Sequence, residues 1–448
     1  LTNGKVRASY GVIGNQNAIG NYSGYTTWAY GGVYSSATNG NGTPTGYTLK
    51  MNALVNDSLT WENTNTFDAG VDMTFIDRID VTFDFYNRLT TNSFFNQPVS
   101  RAATGQTTLQ QNCAVIQNRG IELDINADII RKKDLRWNVG LNLTHYKTIL
   151  KDLPDDVAAA TGSYDSEFYP DGTWTANGDV WSSSVGTYGA GSSSDIFYLR
   201  GIGKDWYNIY MHRYMGTDEY GLPLYLHRVD KADHDAGKYT EYNIGDGVKT
   251  NDYAESDFWE VGSAIPDIIG GFNTSLTWKN WSLSANFAFQ IGGKFYSHEY
   301  VQNLYNGTSN QGKGGRLVSK EVVGNTWTPE NTSAYFPMQW YPASGAAFFS
   351  GTSANGTNWK FTDIALFSAS YLRLKNVTIG YNVPAKALQK AGLGLISGLR
   401  FFASGDNVFL LSAHKGVDPS LSATGGHEIG PYVYPNIQSF TLGVNLDF

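Results

Sequence analysis

The stretch TFDAGVDMTFIDRIDVTFDFYNR, residues 66–88, alternates apolar and polar residues on both sides of a short break. Successive side chains of a strand point to opposite faces, so Phe67, Ala69, Val71, Met73 and Phe75 share one side, and Asp68, Gly70, Asp72 and Thr74 share the other. After the break, Ile79, Val81, Phe83 and Phe85 oppose Asp80, Thr82, Asp84, Tyr86 and Arg88. The spacing predicts two strands joined by a tight turn.

The same period returns along the chain. IELDINADI sets Ile121, Leu123, Ile125, Ala127 and Ile129 against Glu122, Asp124, Asn126 and Asp128, and RWNVGLNLTHY sets Trp137, Val139, Leu141 and Leu143 against Arg136, Asn138, Gly140, Asn142 and Thr144. WSLSANFAFQ places Trp281, Leu283, Ala285, Phe287 and Phe289 together. In LRLKNVTIGY the apolar parity slips near Lys375 and Asn376, from Leu372 and Leu374 to Val377, Ile379 and Tyr381, which predicts a β-bulge. GLRFFASGDNVF alternates less cleanly, and the terminal TLGVNLDF alternates strictly to Phe448.

Together these give about twelve strands, at 3–13, 64–76, 79–90, 117–129, 135–147, 195–203, 206–229, 266–278, 281–292, 369–381, 398–410 and 437–448. Short links at 77–78, 131–134 and 279–280, and a 382–397 link with a helical turn, alternate with the long segments 14–63, 91–116, 148–194, 230–265, 293–368 and 411–436. Tight turns at one end and large loops at the other are the pattern of a transmembrane antiparallel β-barrel of the Gram-negative outer membrane. An arginine on the lipid face of such a barrel costs about 2–4 kcal/mol at the midplane, and Arg7, Arg88, Arg136, Glu122, Asp124 and Arg400 all fall on the inward parity.

Composition agrees. Gly 50, Tyr 29, Phe 23 and Trp 12 with 16% charged residues favour strands and turns over helices. A mean hydropathy of -0.32 and the lack of a long apolar run exclude a helical span, while alternation conceals a barrel from such averaging. The net charge of -8 gives no footprint for nucleic acid, and the single Cys113 can form no intrachain disulfide. LTNGKVRASYG is not a signal peptide.

The segments RASYGVIGNQNAIGNY (7–22), LTWENTNTFDAGVDMTF (59–75), NRGIELDIN (118–126), GSAIPDIIGGFNTSLTWKNWSLS (262–284), NTWTPENTSAYFP (325–337), SASYLRLKNVTIGYNVP (368–384), ASGDNVFLLSAHKGVDPS (403–420) and TLGVNLDF resemble, in order, those of the SusC/RagA-type TonB-linked outer-membrane transporters. The resemblance implies a barrel of about 22 strands filled by an N-terminal plug and preceded by a TonB-binding segment. The chain would be its carboxyl-terminal portion, part of a longer polypeptide, since a half-barrel leaves two unpaired strand edges in lipid.

The resemblance also implies a SusD-like surface lipoprotein that closes over the outer mouth, and uptake of glycans or, in some branches, peptides. Candidate lid or substrate contacts are the loop aromatics Trp28, Trp174, Trp181, Tyr207, Trp327, Trp340, Tyr341 and Trp359, which can equally pack the loops. Trp61, Trp137, Trp278, Trp281 and Phe448 stand at strand ends as membrane-interface anchors. His227, Asp233, His234 and Asp235 in HRVDKADHD lack any recognised metal-ligand spacing and read as a solvated polar loop, able at most to hold an opportunistic divalent ion. The inward carboxylates read as lumen solvation, and no catalytic residue or cofactor is expected. Two other classes stay open: another outer-membrane barrel, such as a porin, autotransporter or phospholipase, and a secreted soluble β-protein that binds glycans.

Overall fold

The computed structural model describes residues 1–17, 19, 25–33, 47–52, 54–106, 108–153, 202–297, 300, 304, 319–338, 362–393, 395–414, 418–421, 428–429 and 436–448. Ten strands form one antiparallel sheet, each paired with its neighbours in chain order. They are β1 (Asn3–Asn15), β2 (Glu62–Phe75), β3 (Ile79–Pro98), β4 (Thr108–Arg131) and β5 (Leu135–Asp152), then β6 (Ile268–Trp278), β7 (Trp281–Ile291), β8 (Tyr371–Asn382), β9 (Gly398–Ser412) and β10 (Ser439–Asp447). Among the described residues no helix is long and apolar enough to cross a membrane.

One outward row of paired residues runs Met73, Val81, Ile125, Leu141, Phe272, Phe287, Leu374 and Phe409, apolar at every strand from β2 to β9. Phe272 and Phe287 stack with centroids 4.1 Å apart. The expected bulge falls at Lys375, where the ladder shifts between Leu374 and Asn376, so Leu374 and Val377 stay on the same face.

Two expectations need correction. The segment 206–229 is not a wall strand. It breaks into Asn208–His212, Tyr214–Thr217 and Pro223–Arg228, which pair in small sheets outside the wall, and all five side chains of the first are buried. Burial on both sides removes the alternation that a wall needs. The wall also has no vacancy, because β6 takes the β5 edge from Leu135 to Thr144, and residues 203–206 cap that edge above it through Gly203 N–H to Leu150 O and Trp206 N–H to Thr148 O. Of 195–203, only 202 and 203 are described.

The second correction concerns 91–116, which is mostly strand. β3 and β4 continue as a hairpin to Pro98 and from Thr108. At about 3.3 Å per residue, the 24 residues of β4 far exceed an apolar band of roughly 25 Å.

Polar side chains tie the inward face. Arg7 donates from Nε to Asp72 (3.1 Å) and from Nη2 to Asp84 (2.8 Å), joining β1, β2 and β3. The ion pairs meet above Gly70, where a Cβ would collide with the Asp84 carboxylate and lie 2.9 Å from Arg7 Cζ. At the long-loop end Glu62 accepts from Asn15 Nδ2, Ser93 Oγ and the Phe94 amide, beside a left-handed Asn92 (φ 55). Gly70→Ala is expected to displace Arg7 and cost about 1–3 kcal/mol. A thermal midpoint of the detergent-solubilised protein unchanged from that of the parent would count against this close approach.

Candidate functional site: the polar wall and the cap at its mouth

A continuous inward row crosses all ten strands: Asn3, Thr74, Asp80, Asn126, Gly140, Asn273, Asn286, Asn376, Asp406 and Ser439. Asparagine recurs because its short amide both donates and accepts. Asn376 Nδ2 donates to Asp406 (2.6 Å), which also accepts from Ser439 Oγ (3.1 Å). The row begins at the short-turn end of β1 and β2 and finishes at the long-loop end of β10, a climb that follows from strand tilt and stagger. It presents amides, hydroxyls and carboxylates to whatever fills the lumen.

Above β5 to β8 the long segments fold into a cap with its own core. Ile209, Met211, Tyr214, Val261, Tyr296, Phe336 and Ile364 are buried together, and Tyr207, Trp259, Tyr300 and Phe367 pack around them. A second cluster of Phe95, Ala114, Leu150 and Leu153, with Ile202 and Trp206 against it, seats the cap on the overshooting strands β3 to β5. The 3-10 turn Asp363–Ala365 is anchored by Asp363, which accepts the Tyr214 amide at 2.8 Å.

The HRVDKADHD segment is the point at which the cap departs from expectation. His227 is buried, with Nδ1 2.9 Å from Asp257 and Nε2 2.8 Å from Asp233. Asp233 is itself fixed in a capping box with Asp230 at the start of the short helix Lys231–Asp235. Burial opposes the charge on His227, but the two carboxylates prevail and hold its pKa up to about 9, so both ring N–H groups donate at neutral pH. His212, between the rings of Tyr253 and Phe258, has the reverse fate: burial pushes it down to about 4. The solvated-loop expectation therefore fails for His227, which is a latch between Pro223–Arg228 and its neighbours. Among the described residues no group of three or more His, Cys, Asp or Glu is placed to hold a metal ion.

Three of the candidate aromatics, Trp28, Tyr207 and Trp327, are among the described residues, and they stand in different surroundings. Trp28 is exposed on the hairpin of Trp28–Val33 and Tyr47–Met51. Tyr207 packs against the cap core, and half-buried Trp327 lies against Gly221, whose φ of +83 and lack of Cβ admit the ring. Trp174, Trp181, Trp340, Tyr341 and Trp359 lie outside the described residues. Trp61, Trp137, Trp278, Trp281 and Phe448 are all exposed at strand ends; Trp281 meets Tyr381 at 4.7 Å between centroids, and Lys279 Nζ lies 5.7 Å over the Trp278 ring. Missed from sequence was Arg373 on β8, buried and bonded to Asp418, Ser420 and Asn407, which ties the segment after β9 to the wall. Its only signal was a cation within the otherwise regular LRLKN.

A sheet with a lipid-type outer face, a polar inner face and a folded cap at its long-loop end defines an outer-membrane β-barrel of the receptor and transporter class. The family described as TonB dependent receptor-like, beta-barrel matches residues 2–254, and the chain belongs to it. It is 27% identical to TonB-dependent receptor P3 of Formosa agariphila, over 100% of this chain and 40% of that protein. It is 25% identical to TonB-dependent receptor SusC of Bacteroides thetaiotaomicron, over 100% of this chain and 38% of that protein. The solved structure of the RagAB peptide transporter superposes with a TM-score of 0.67 at 22% identity, covering 100% of this chain and 41% of that one. The chain thus spans about two fifths of the length of the curated relatives it matches.

The two histidines give the cap a pH dependence of known sign. A raised folded-state pKa makes the His227 contribution complete below its ordinary value near 6.5 and lost as pH rises through about 9. The depressed His212 contributes fully above 6.5, and that contribution is lost as pH falls towards about 4. Amide-exchange protection of Asn208–His212 is therefore expected to be greatest near neutrality and to fall on both sides. His227→Gln should lower it at pH 7 by roughly tenfold and flatten only the alkaline limb; an alkaline fall that survives this change would remove His227 as its cause.

Proposed function

We propose that this chain is the carboxyl-terminal portion of the barrel of a TonB-energised outer-membrane importer, working with a SusD-like surface lipoprotein and carrying glycan oligosaccharides. The single observation that carries the reading is the open ten-stranded sheet: its outward rows suit hydrocarbon, its inward row suits a hydrated filling, and β1 and β10 each have one partner within it. In hydrocarbon every unpaired backbone group costs several kcal/mol, so further strands from the rest of a longer chain complete the wall, and a plug from it fills the lumen. TonB would act through that other part. The residues present here supply wall, rim and lid seat, with no bond made or broken in the transported molecule.

The glycan reading is favoured by the relatedness to SusC-type receptors and by exposed Trp28, since aromatic faces stack on sugar rings as well as on a protein lid. Oligopeptides are the second reading, favoured by the fold shared with a peptide transporter. Intact mass of the protein from outer membranes should lie well above 49.2 kDa; a mass of that value with no companion fragment would sink the portion reading. Deleting the complete gene should abolish growth on one oligosaccharide class, with the loss reproduced by removing TonB. Unchanged uptake of every oligosaccharide tested would rule out glycans, and a loss confined to oligopeptides would select the second reading. Affinity purification of the full-length protein should recover one surface lipoprotein, and Trp28→Ala should reduce that recovery about tenfold; unchanged recovery would remove Trp28 from the lid contact.

A further inference from the structure

On the outward face, at the short-turn end of β7 to β10, lies a groove of about 580 Å³. That is within the range of roughly 300–1,000 Å³ typical of small-molecule sites. Its lower border is the cross-strand row Trp281, Tyr381, Phe401 and Val444. The next outward row is Leu283, Ile379, Ala403 and Leu442, and the row above it passes through Gly405. Besides Ala285 on β7 in the upper row, two small residues on β9, Ala403 and Gly405, thus thin these rows. These are the positions at which GLRFFASGDNVF loses its clean alternation.

The groove is lined by apolar side chains and glycines, and the link that joins two of its strands, β8 and β9, carries lysines. The link between β8 and β9 is sewn directly beneath it by the Val383 amide to Leu399 O (2.8 Å) and the Ser397 amide to Asp447 O (2.7 Å). Within that link the short helix Ala385–Lys390 is held by buried Leu388 and carries Lys386 and Lys390, both exposed. Spaced four apart, they lie on one side of the helix. Leu393 and Leu395 follow, the latter 89% exposed, a poor fit to water and a good fit to a bilayer interface. Asp447 and Arg400, the nearest other charges in these rows, belong to the inward parity.

We propose that this groove and the two lysines bind one anionic phospholipid of the periplasmic leaflet, an acyl chain lying over Ala403 between the Ile379 and Leu442 side chains and the headgroup phosphate paired with Lys386 and Lys390. Charge complementarity selects this occupant. A purely apolar patch would take any lipid tail, whereas lysines at the foot of an aromatic-rimmed groove discriminate by headgroup. The inference rests on the outward face being the lipid face.

The test uses the full-length protein, stripped of lipid in detergent and then equilibrated with mixed vesicles of phosphatidylglycerol and phosphatidylcholine, with bound lipid counted by native mass spectrometry. One phosphatidylglycerol per chain is expected to persist, favoured roughly tenfold over phosphatidylcholine. Lys386→Glu with Lys390→Glu, on an exposed helix outside the wall, should abolish that preference, and Ala403→Phe should lower retention of both lipids. Equal retention by the parent protein, or an unchanged preference in the double variant, overturns the site while leaving the barrel intact. Protein that stays monodisperse with neither lipid nor detergent overturns the barrel reading itself.

Discussion

A hydrocarbon solvent accepts neither an unpaired amide nor an exposed charge, and the architecture follows from satisfying both demands at once. Chain-order antiparallel pairing answers the first, because each strand finds its partners next to it in sequence. Strict alternation answers the second, and the ladder carries it laterally as well: a residue at one strand fixes which face its partners nine strands away will occupy. The inward row from Asn3 to Ser439 and the outward row from Met73 to Phe409 are two consequences of that one register. The insertion at Lys375 survives because the bulge absorbs it locally, without inverting everything that follows, and the β4–β5 ladder shifts in the same way between Asp128 and Ile130.

Much of this was legible in the sequence because a wall strand reports one uniform environment over its whole length. Ten expected strands, the tight turns and the position of the bulge follow from period two alone. The cap was not legible for a physical reason. Its strands are at most six residues long, too short for a period to be counted, and Asn208–His212 is buried on both sides as well. The overshoot of β3 and β4 was hidden in another way: above the membrane the outward face need not be apolar, and NSFFNQP and TLQQNCA lose the alternation while remaining strand.

The functional residues divide along the same line. That Trp278 and Trp281 stand exposed at strand ends could be read from the alternation. The His227 latch could not, since Asp257 lies 30 residues away and only the fold brings it within reach. Nor could the Arg373 to Asp418 pair, 45 residues apart. Composition suggested a loose polar loop where the chain in fact buries an imidazolium between two acids.

The rim of the mouth is built of two materials. On one flank it is the continuation of β3, β4 and β5, strands of 20, 24 and 18 residues in a single ladder. On the other, above strands of 11, 11 and 12 residues, it is the cap with a separate core. The first flank cannot be recut without breaking the ladder that runs down into the bilayer. The second can exchange side chains, lengthen or be replaced outright while the stave beneath it stays in register, so diversification among descendants of this gene should accumulate on that flank of the rim.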